Sequence, residues 1–195
     1  MLKRIIKKLI LKIAKEYEFF KVYRSVSRGI VPLPEGFQFQ ECFPKSEYEL
    51  TEDPCLNIVA TSTGEEGRVF AIVHQETMVA VCAYWWGERY HRERHRWDLK
   101  SGEAVLLRLY TVPDFRGLGL ASSLISLSAE AMRAEGFEGL FAKIWRINYA
   151  SLKAFKKAGW LYTAYVVRLI FADGKYLRFT FPTSIYAIRR LIRFR

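Results

Sequence analysis

The sequence predicts a fold of the α/β (α+β) class, a mixed and mostly antiparallel central sheet flanked by helices. Three observations carry this. Two β-rich runs, 68–74 and 78–86, are separated only by Gln75-Glu76-Thr77 and read as a hairpin. A strand over 103–112 passes through Pro113 and a glycine-bearing turn into a helix over 120–135, then into a strand over 139–144. Strands joined through a helix pair in parallel by a right-handed crossover. Last, the runs 161–171 and 175–181 flank Ala172-Asp173-Gly174, a second hairpin.

Taken in order, the first twenty residues set Leu2, Ile6, Leu9, Ile10, Ile13, Tyr17 and Phe20 at helical spacing among lysines, a basic amphipathic helix within 1–30. No stretch reaches the ~18 uninterrupted apolar residues of a spanning helix. Lys7, Lys8 and Lys12 break any signal-peptide core. Pro32 and Pro34 mark a connector, and Phe37, Phe39 and Glu41 alternate with Gln38 and Gln40 in a short first strand. Residues 44–67 are polar, with turn signals at Pro54 and Gly64, and 87–102 reads as a long basic excursion. The helix after Pro113 sets Leu120, Leu124, Leu127 and Ala131 on one face and closes at Gly136. A shorter helix over 148–158 ends at Gly159. The tail 184–195 repeats the basic amphipathic pattern, with Ile185, Ile188 and Ile192 against Arg189, Arg190 and Arg193. The expected organisation is therefore a globular domain over 36–181 between two basic termini.

With 195 residues, 51% hydrophobic, the chain has enough apolar material for one folded domain and too much for a disordered one. Cys42, Cys55 and Cys82 are odd in number and widely spaced, so neither a disulfide framework nor a zinc knuckle is indicated and a cytoplasmic setting is expected. The formal charge of +11 comes entirely from the ends: residues 1–28 carry +7 and 184–195 carry +4, while 29–183 is neutral. The termini are thus where an anionic partner is expected, with an anionic membrane surface on the inner face favoured. Packing on the domain or on a second copy, a homodimer, competes with it. Nucleic acid ranks lower, because the lysines are embedded among long aliphatics.

The stretch from Val112 to Leu124 is the main functional signal. The first turn of a helix presents unpaired N–H groups and the positive end of the helix dipole. Gly117 and Gly119 let an anion reach that backbone, and Arg116 adds charge. A dinucleotide-binding unit is disfavoured, since no third glycine follows and hairpins rather than a βαβ unit precede the motif.

Arg116-Gly117-Leu118-Gly119-Leu120-Ala121, then a strand, then Asn148-x-x-Ser151-x-x-x-Phe155-x-x-x-Gly159-Trp160, together resemble the GNAT acyltransferase superfamily. The resemblance covers about 36–181. It implies a central sheet splayed into a V between the strands ending at Val112 and near Ile144, with acetyl-CoA as co-substrate in that V. It places the pyrophosphate on the amides from Gly117 through Leu118, Gly119, Leu120 and Ala121 to Ser122. It places the pantetheine along Tyr110, Thr111 and Val112, with Asn148 and Ser151 on the same arm. The implied reaction is acetyl transfer to a primary amine, with a backbone donor near Val112 for the thioester oxygen.

The resemblance also makes Glu103, at the start of the strand, a candidate general base; a plain strand-end residue is the competing reading. Many members carry a tyrosine where this chain has Phe155, so the acid falls to Tyr149 or Tyr110, or the thiolate leaves unaided. Arginines of the excursion, with Trp85 and Trp86, suggest an amino-sugar envelope or polysaccharide precursor as acceptor. His91-x-Glu93-x-His95 sits among arginines that repel a cation, and no metal is expected. A non-catalytic CoA-binding scaffold and a protein- or ribosome-associated acetyltransferase are the alternatives.

Overall fold

A computed structural model describes residues 14–26, 29–42, 53–60, 62–94, 99–173 and 175–183. The chain divides into two compact units. The larger takes in 24–142 and 150–161, the smaller 1–23, 143–149 and 162–195.

In the larger unit the strand order is β2 (Phe37–Cys42), β3 (Gly67–His74), β4 (Thr77–Trp85), β5 (Glu103–Thr111) and β6 (Gly139–Trp145). The first three junctions are antiparallel and β5–β6 is parallel, as the crossover pattern requires. The predicted hairpin is β3–β4, turning through Gln75 and Glu76, whose φ values of 47° and 63° suit the mirror-image turns that match strand twist. From Met78 to Trp85 every residue of β4 is buried, so this strand is covered on both faces, consistent with its unbroken apolar sequence.

One cover is α1 (Pro54–Ala60), whose Leu56 packs with Val69, Ala71, Val81 and Ala83. The other is α3 (Leu120–Ala134). The helix α2 (Gly87–Arg94) occupies the first half of the expected basic excursion, and α4 (Tyr149–Lys157) follows β6. The packed face of α3 differs from the expected stripe: Leu120 and Leu124 are buried, but Leu127 and Ala131 are only half-buried. Ser122, Ser123, Ser126 and Ser128 take their place with Ile125 and Met132. Small side chains let the helix lie close to the sheet, and their hydroxyls are satisfied. Ser123 donates to Pro32 O (2.8 Å), Ser126 accepts from the Val31 N–H (3.0 Å), and Ser128 meets the Tyr84 hydroxyl (3.3 Å).

The smaller unit has the order β6-β1-β7-β8, with β1 at Glu16–Arg24, β7 at Leu161–Ile170 and β8 at Tyr176–Pro182. The predicted hairpin around 172–174 is β7–β8. The strand β1 corrects the expected helix over 16–20: Tyr17, Phe19, Phe20, Val22 and Tyr23 are β-favouring residues, and the helical spacing read through Tyr17 and Phe20 was shared with a strand pattern. The rest of the expected N-terminal helix, 1–13, and the tail 184–195 lie outside the described residues. Among the described residues no helix is long and apolar enough to cross a membrane.

Candidate active site

The strand β5 delivers the chain to the glycine turn. Val112 donates its N–H to Val79 O (2.9 Å), and Pro113–Phe115 form one 3₁₀ turn in which Phe115 and Arg116 donate back to Val112 O and Pro113 O. Phe115 fixes the turn against Phe37 and His74, with ring centroids 6.2 and 5.7 Å away. Gly117 and Gly119 both adopt φ of +86°, a conformation costly for any residue with a Cβ. Ser122 and Ser123 then donate to Gly119 O (2.9 and 3.2 Å), closing the first helical turn.

These bonds account for Phe115, Arg116, Ser122 and Ser123. Among the described residues they leave five consecutive N–H groups, Gly117 to Ala121, with no backbone acceptor, and Gly119 caps α3 without a side-chain hydrogen bond. The expected cradle is thus present one residue shorter, because the Ser122 N–H is taken. A Cβ on Gly117 would meet nothing within 4 Å, while one on Gly119 would stand 3.2 Å from Lys157 Nζ. Lys157, in the last turn of α4, therefore shares the mouth of the cradle with Arg116. Sequence reasoning missed it; the two adjacent lysines before Gly159 were the available signal. Five amides, a helix dipole and two cations match a pyrophosphate.

The upper half of β5 is shaped by a bulge. Ala83 pairs with Arg108 but its neighbour Tyr84 pairs with Leu106, so Leu107 is the extra residue. The parallel ladder to β6 runs only from Glu103–Gly139 to Leu106–Ala142 and ends at the same point, while β5 continues to Thr111. Backbone direction alternates along a strand. Because Val112 donates to Val79 and Tyr110 pairs with Val81, Leu109 and Thr111 direct their N–H and C=O groups to the edge away from β4. Thr111 O accepts there from Arg116 Nε at 3.0 Å. Leu109 and Thr111 therefore present backbone N–H groups to this edge, whereas the Val112 N–H faces β4.

Tyr110, on the opposite face from α3, donates its hydroxyl to Asp53 Oδ2 (2.8 Å), and Asp53 Oδ1 accepts the Cys55 N–H (2.8 Å) at the start of α1. That tyrosine bond, with the α1 amides and nearby Arg116, holds the Asp53 carboxyl below its usual range. The same bond raises the Tyr110 hydroxyl, which makes it a poor acid. The Arg116 guanidinium lies 5.8 Å from the Tyr110 ring centre.

The two predicted catalytic residues are placed differently. Glu103 stands at the far end of β5 from the cradle, roughly 26 Å along the strand from Thr111 at ~3.3 Å per residue. Its carboxylate accepts the Lys100 N–H (3.1 Å) across the Lys100–Gly102 turn and its stem packs over Gly139. These contacts fit the strand-end reading. Tyr149 is 75% exposed. It lies with Asn148 in the smaller unit, whereas Ser151 lies half-buried on α4 in the larger. Phe155 is a core residue, edge-on to Trp160 at 5.0 Å.

Within the basic excursion, Arg89 is held by the fold. Arg89 donates its N–H to Glu66 Oε2 (2.7 Å) and its guanidinium to Thr63 O and Glu65 O, and it covers the Trp85 ring at 4.6 Å. Trp85 itself is buried and donates to Ser62 O (3.2 Å), and Trp86 packs edge-on to Phe137. His95 lies outside the described residues, among which no metal-holding group of His, Cys, Asp and Glu occurs.

The sequence matches the acetyltransferase (GNAT) family over residues 34–160, more than half of the chain and inclusive of the cradle. No curated protein matches it. Three solved structures share the fold at low identity. A GCN5-related N-acetyltransferase-like protein from Streptococcus suis has a TM-score of 0.56 and 18% identity, covering 83% of this chain and 65% of that one. A GCN5-related N-acetyltransferase from Sphaerobacter thermophilus has a TM-score of 0.55 and 10% identity, covering 91% and 56%. A GNAT acetyltransferase from Colwellia psychrerythraea has a TM-score of 0.54 and 13% identity, covering 90% and 61%. The chain thus spans 56–65% of the length of these three proteins. With the cradle, the parallel crossover and the family match in agreement, this chain belongs to the GNAT acetyltransferase family.

Proposed function

We propose that this protein transfers the acetyl group of acetyl-CoA to a primary amine. The observation that supports the reading is the run of five unpaired amides from Gly117 to Ala121, backed by Arg116 and Lys157. When bound, the coenzyme supplies a thioester carbonyl open to attack and a thiolate leaving group.

The chain's own residues do the rest. The amides and the two cations hold the pyrophosphate; Leu109 and Thr111, on the outward edge of β5, hold the pantetheine arm as they would an added strand and offer an N–H to the carbonyl oxygen. Ser151 is assigned to the same arm from the motif. Asp53, a carboxylate that accepts the Tyr110 hydroxyl, holds the incoming ammonium. The ammonium first gives one proton to water; the C–N bond then forms as the C–S bond breaks, the second N–H proton passes to water, and the thiolate, with a thiol pKa of ~8.5, departs without an acid. Neither Glu103 nor Tyr149 is assigned a step. The acceptor is taken no finer than a primary amine, because Arg89, Trp85 and Trp86, set by sequence against a sugar, are taken up by the fold.

The test is a melt with acetyl-CoA followed by thiol release against a panel of amines. At 100 times its Kd the ligand adds ~2.7 kcal/mol of stability. Gly119→Glu, which sets a carboxylate in the cradle beside Lys157, weakens that binding about a hundredfold, the same ~2.7 kcal/mol. No shift, or equal affinity in the variant, overturns the cradle. Binding without thiol release would leave a CoA-binding module and remove the enzyme reading.

A further inference from the structure

The smaller unit combines charge and apolar exposure out of proportion to its size. It holds 16 of the 31 Lys/Arg but only 3 of the 20 Asp/Glu, a balance of +13, which leaves the larger unit at −2. Among the described residues, seven of the ten exposed large hydrophobic side chains also belong to it. The β7–β8 register shows how they are arranged. Tyr165 lies opposite Phe181, Val167 opposite Phe179 and Leu169 opposite Leu177, so alternation sets all six on one face of the hairpin. The β8 members are 45–53% exposed. On the opposite face Arg168 pairs with Glu18. Tyr165 also stacks on Phe19 of β1 at 5.0 Å, extending the apolar face across a third strand.

We propose that this face docks on an anionic lipid bilayer, its aliphatic and aromatic side chains entering the headgroup boundary while the unit's net positive charge draws it to the lipid phosphates. Charge selects the occupant. A second copy would bring another +13 against the first, whereas an anionic surface is complementary. The chemistry of the patch favours lipid over nucleic acid: leucine and valine have no π-face for a base, while a bilayer boundary accepts aliphatic and aromatic groups alike. The proposal stands independently of acyl transfer.

The experiment is co-sedimentation of the full chain with vesicles of phosphatidylcholine alone and of equal parts phosphatidylcholine and phosphatidylglycerol. Wild type pellets with the anionic vesicles, stays in solution with the neutral ones, and is partly released by salt. Leu177→Ser, Phe179→Ser and Phe181→Ser combined weaken partition at least about tenfold. Equal partition of this variant overturns the proposal, since basic segments alone would then bind. Retention on polyribonucleotide in place of vesicles, or a dimer abolished by the same substitutions, also overturns it. If the triple variant does not fold, Phe179→Trp decides: brominated lipid quenches its fluorescence beyond that of wild type, and no added quenching refutes insertion.

Discussion

The two units use the same residue types to opposite ends. In the larger one, bulky groups face inward: Phe70, Tyr84, Tyr90 and Phe141 are at most 2% exposed, and small Ala and Ser side chains fill the spaces between sheet and helix. In the smaller one, which carries a large excess of positive charge, Phe179 and Phe181 stand 45% and 53% exposed on a strand. A buried phenylalanine holds the fold, whereas an exposed one in a charged setting is better explained by a partner. Under the two proposals, acyl-donor chemistry falls to the nearly neutral larger unit and attachment to the basic smaller one.

The sharpest way to break that division is to remove one phenylalanine from each unit. Phe155, 2% exposed and edge-on to Trp160, should cost ~3–5 kcal/mol on replacement by Ala, through lost burial and the cavity left behind. Phe179→Ala should stay within ~0.5 kcal/mol of wild type, the range of ordinary surface changes. Urea melts of both variants measure this. A large loss for Phe179→Ala would mean that its face supports the fold, and the comparison would fail.

Alkaline pH tests the interior of the larger unit. Burial pushes the Cys82 thiol up to about 12, while in the unfolded chain it titrates near 9.0. Between these values the unfolded chain has released the proton and the folded chain still holds it, so stability falls as pH rises, by ~1.4 kcal/mol per pH unit for one proton. Cys82→Ala removes that proton difference. The advantage of wild type over the variant should therefore shrink from pH 9 to 11 in urea melts. A constant gap would mean that the thiol is reached by solvent and that the interior is less closed than its burial implies.

What the sequence made legible follows from range. The cradle could be read from Arg116, Gly117 and Gly119 because a strand, a left-handed turn and a helix start are local, and glycine marks the φ of +86° that the turn requires. The β3–β4 hairpin and the parallel crossover were readable for the same reason. Features that depend on distant partners were not. Lys157 reaches the cradle from a helix 38 positions beyond Gly119, and the Leu107 bulge depends on its register against β4. Glu103 was a candidate base by family resemblance, and its pairing opposite Gly139, which the sequence does not show, sets it at the end of β5 away from the glycine turn. Residues 16–20 followed a helical stripe into what folds as β1, since aromatic residues fit either period over so short a run.

The smallest expected effect concerns the link between acceptor side and donor side. Tyr110→Phe keeps the ring, which packs against the cluster around Leu56, and deletes only the hydroxyl bond to Asp53. That bond is the leading cause of the lowered Asp53 pKa, so the carboxyl of the variant should titrate closer to its ordinary value of 3.8. A depressed carboxylate contributes stability that is present above its unfolded pKa and lost as pH falls through the folded one, so the variant should lose less stability than wild type on acidification below about pH 4. If Asp53 also holds the acceptor ammonium, the acid limb of kcat/KM moves to higher pH and KM for the amine rises several-fold, while the KM for acetyl-CoA is unchanged. An unchanged amine KM with an unchanged acid limb would confine Asp53 to capping α1, and the acceptor would have to be held by another group on that face.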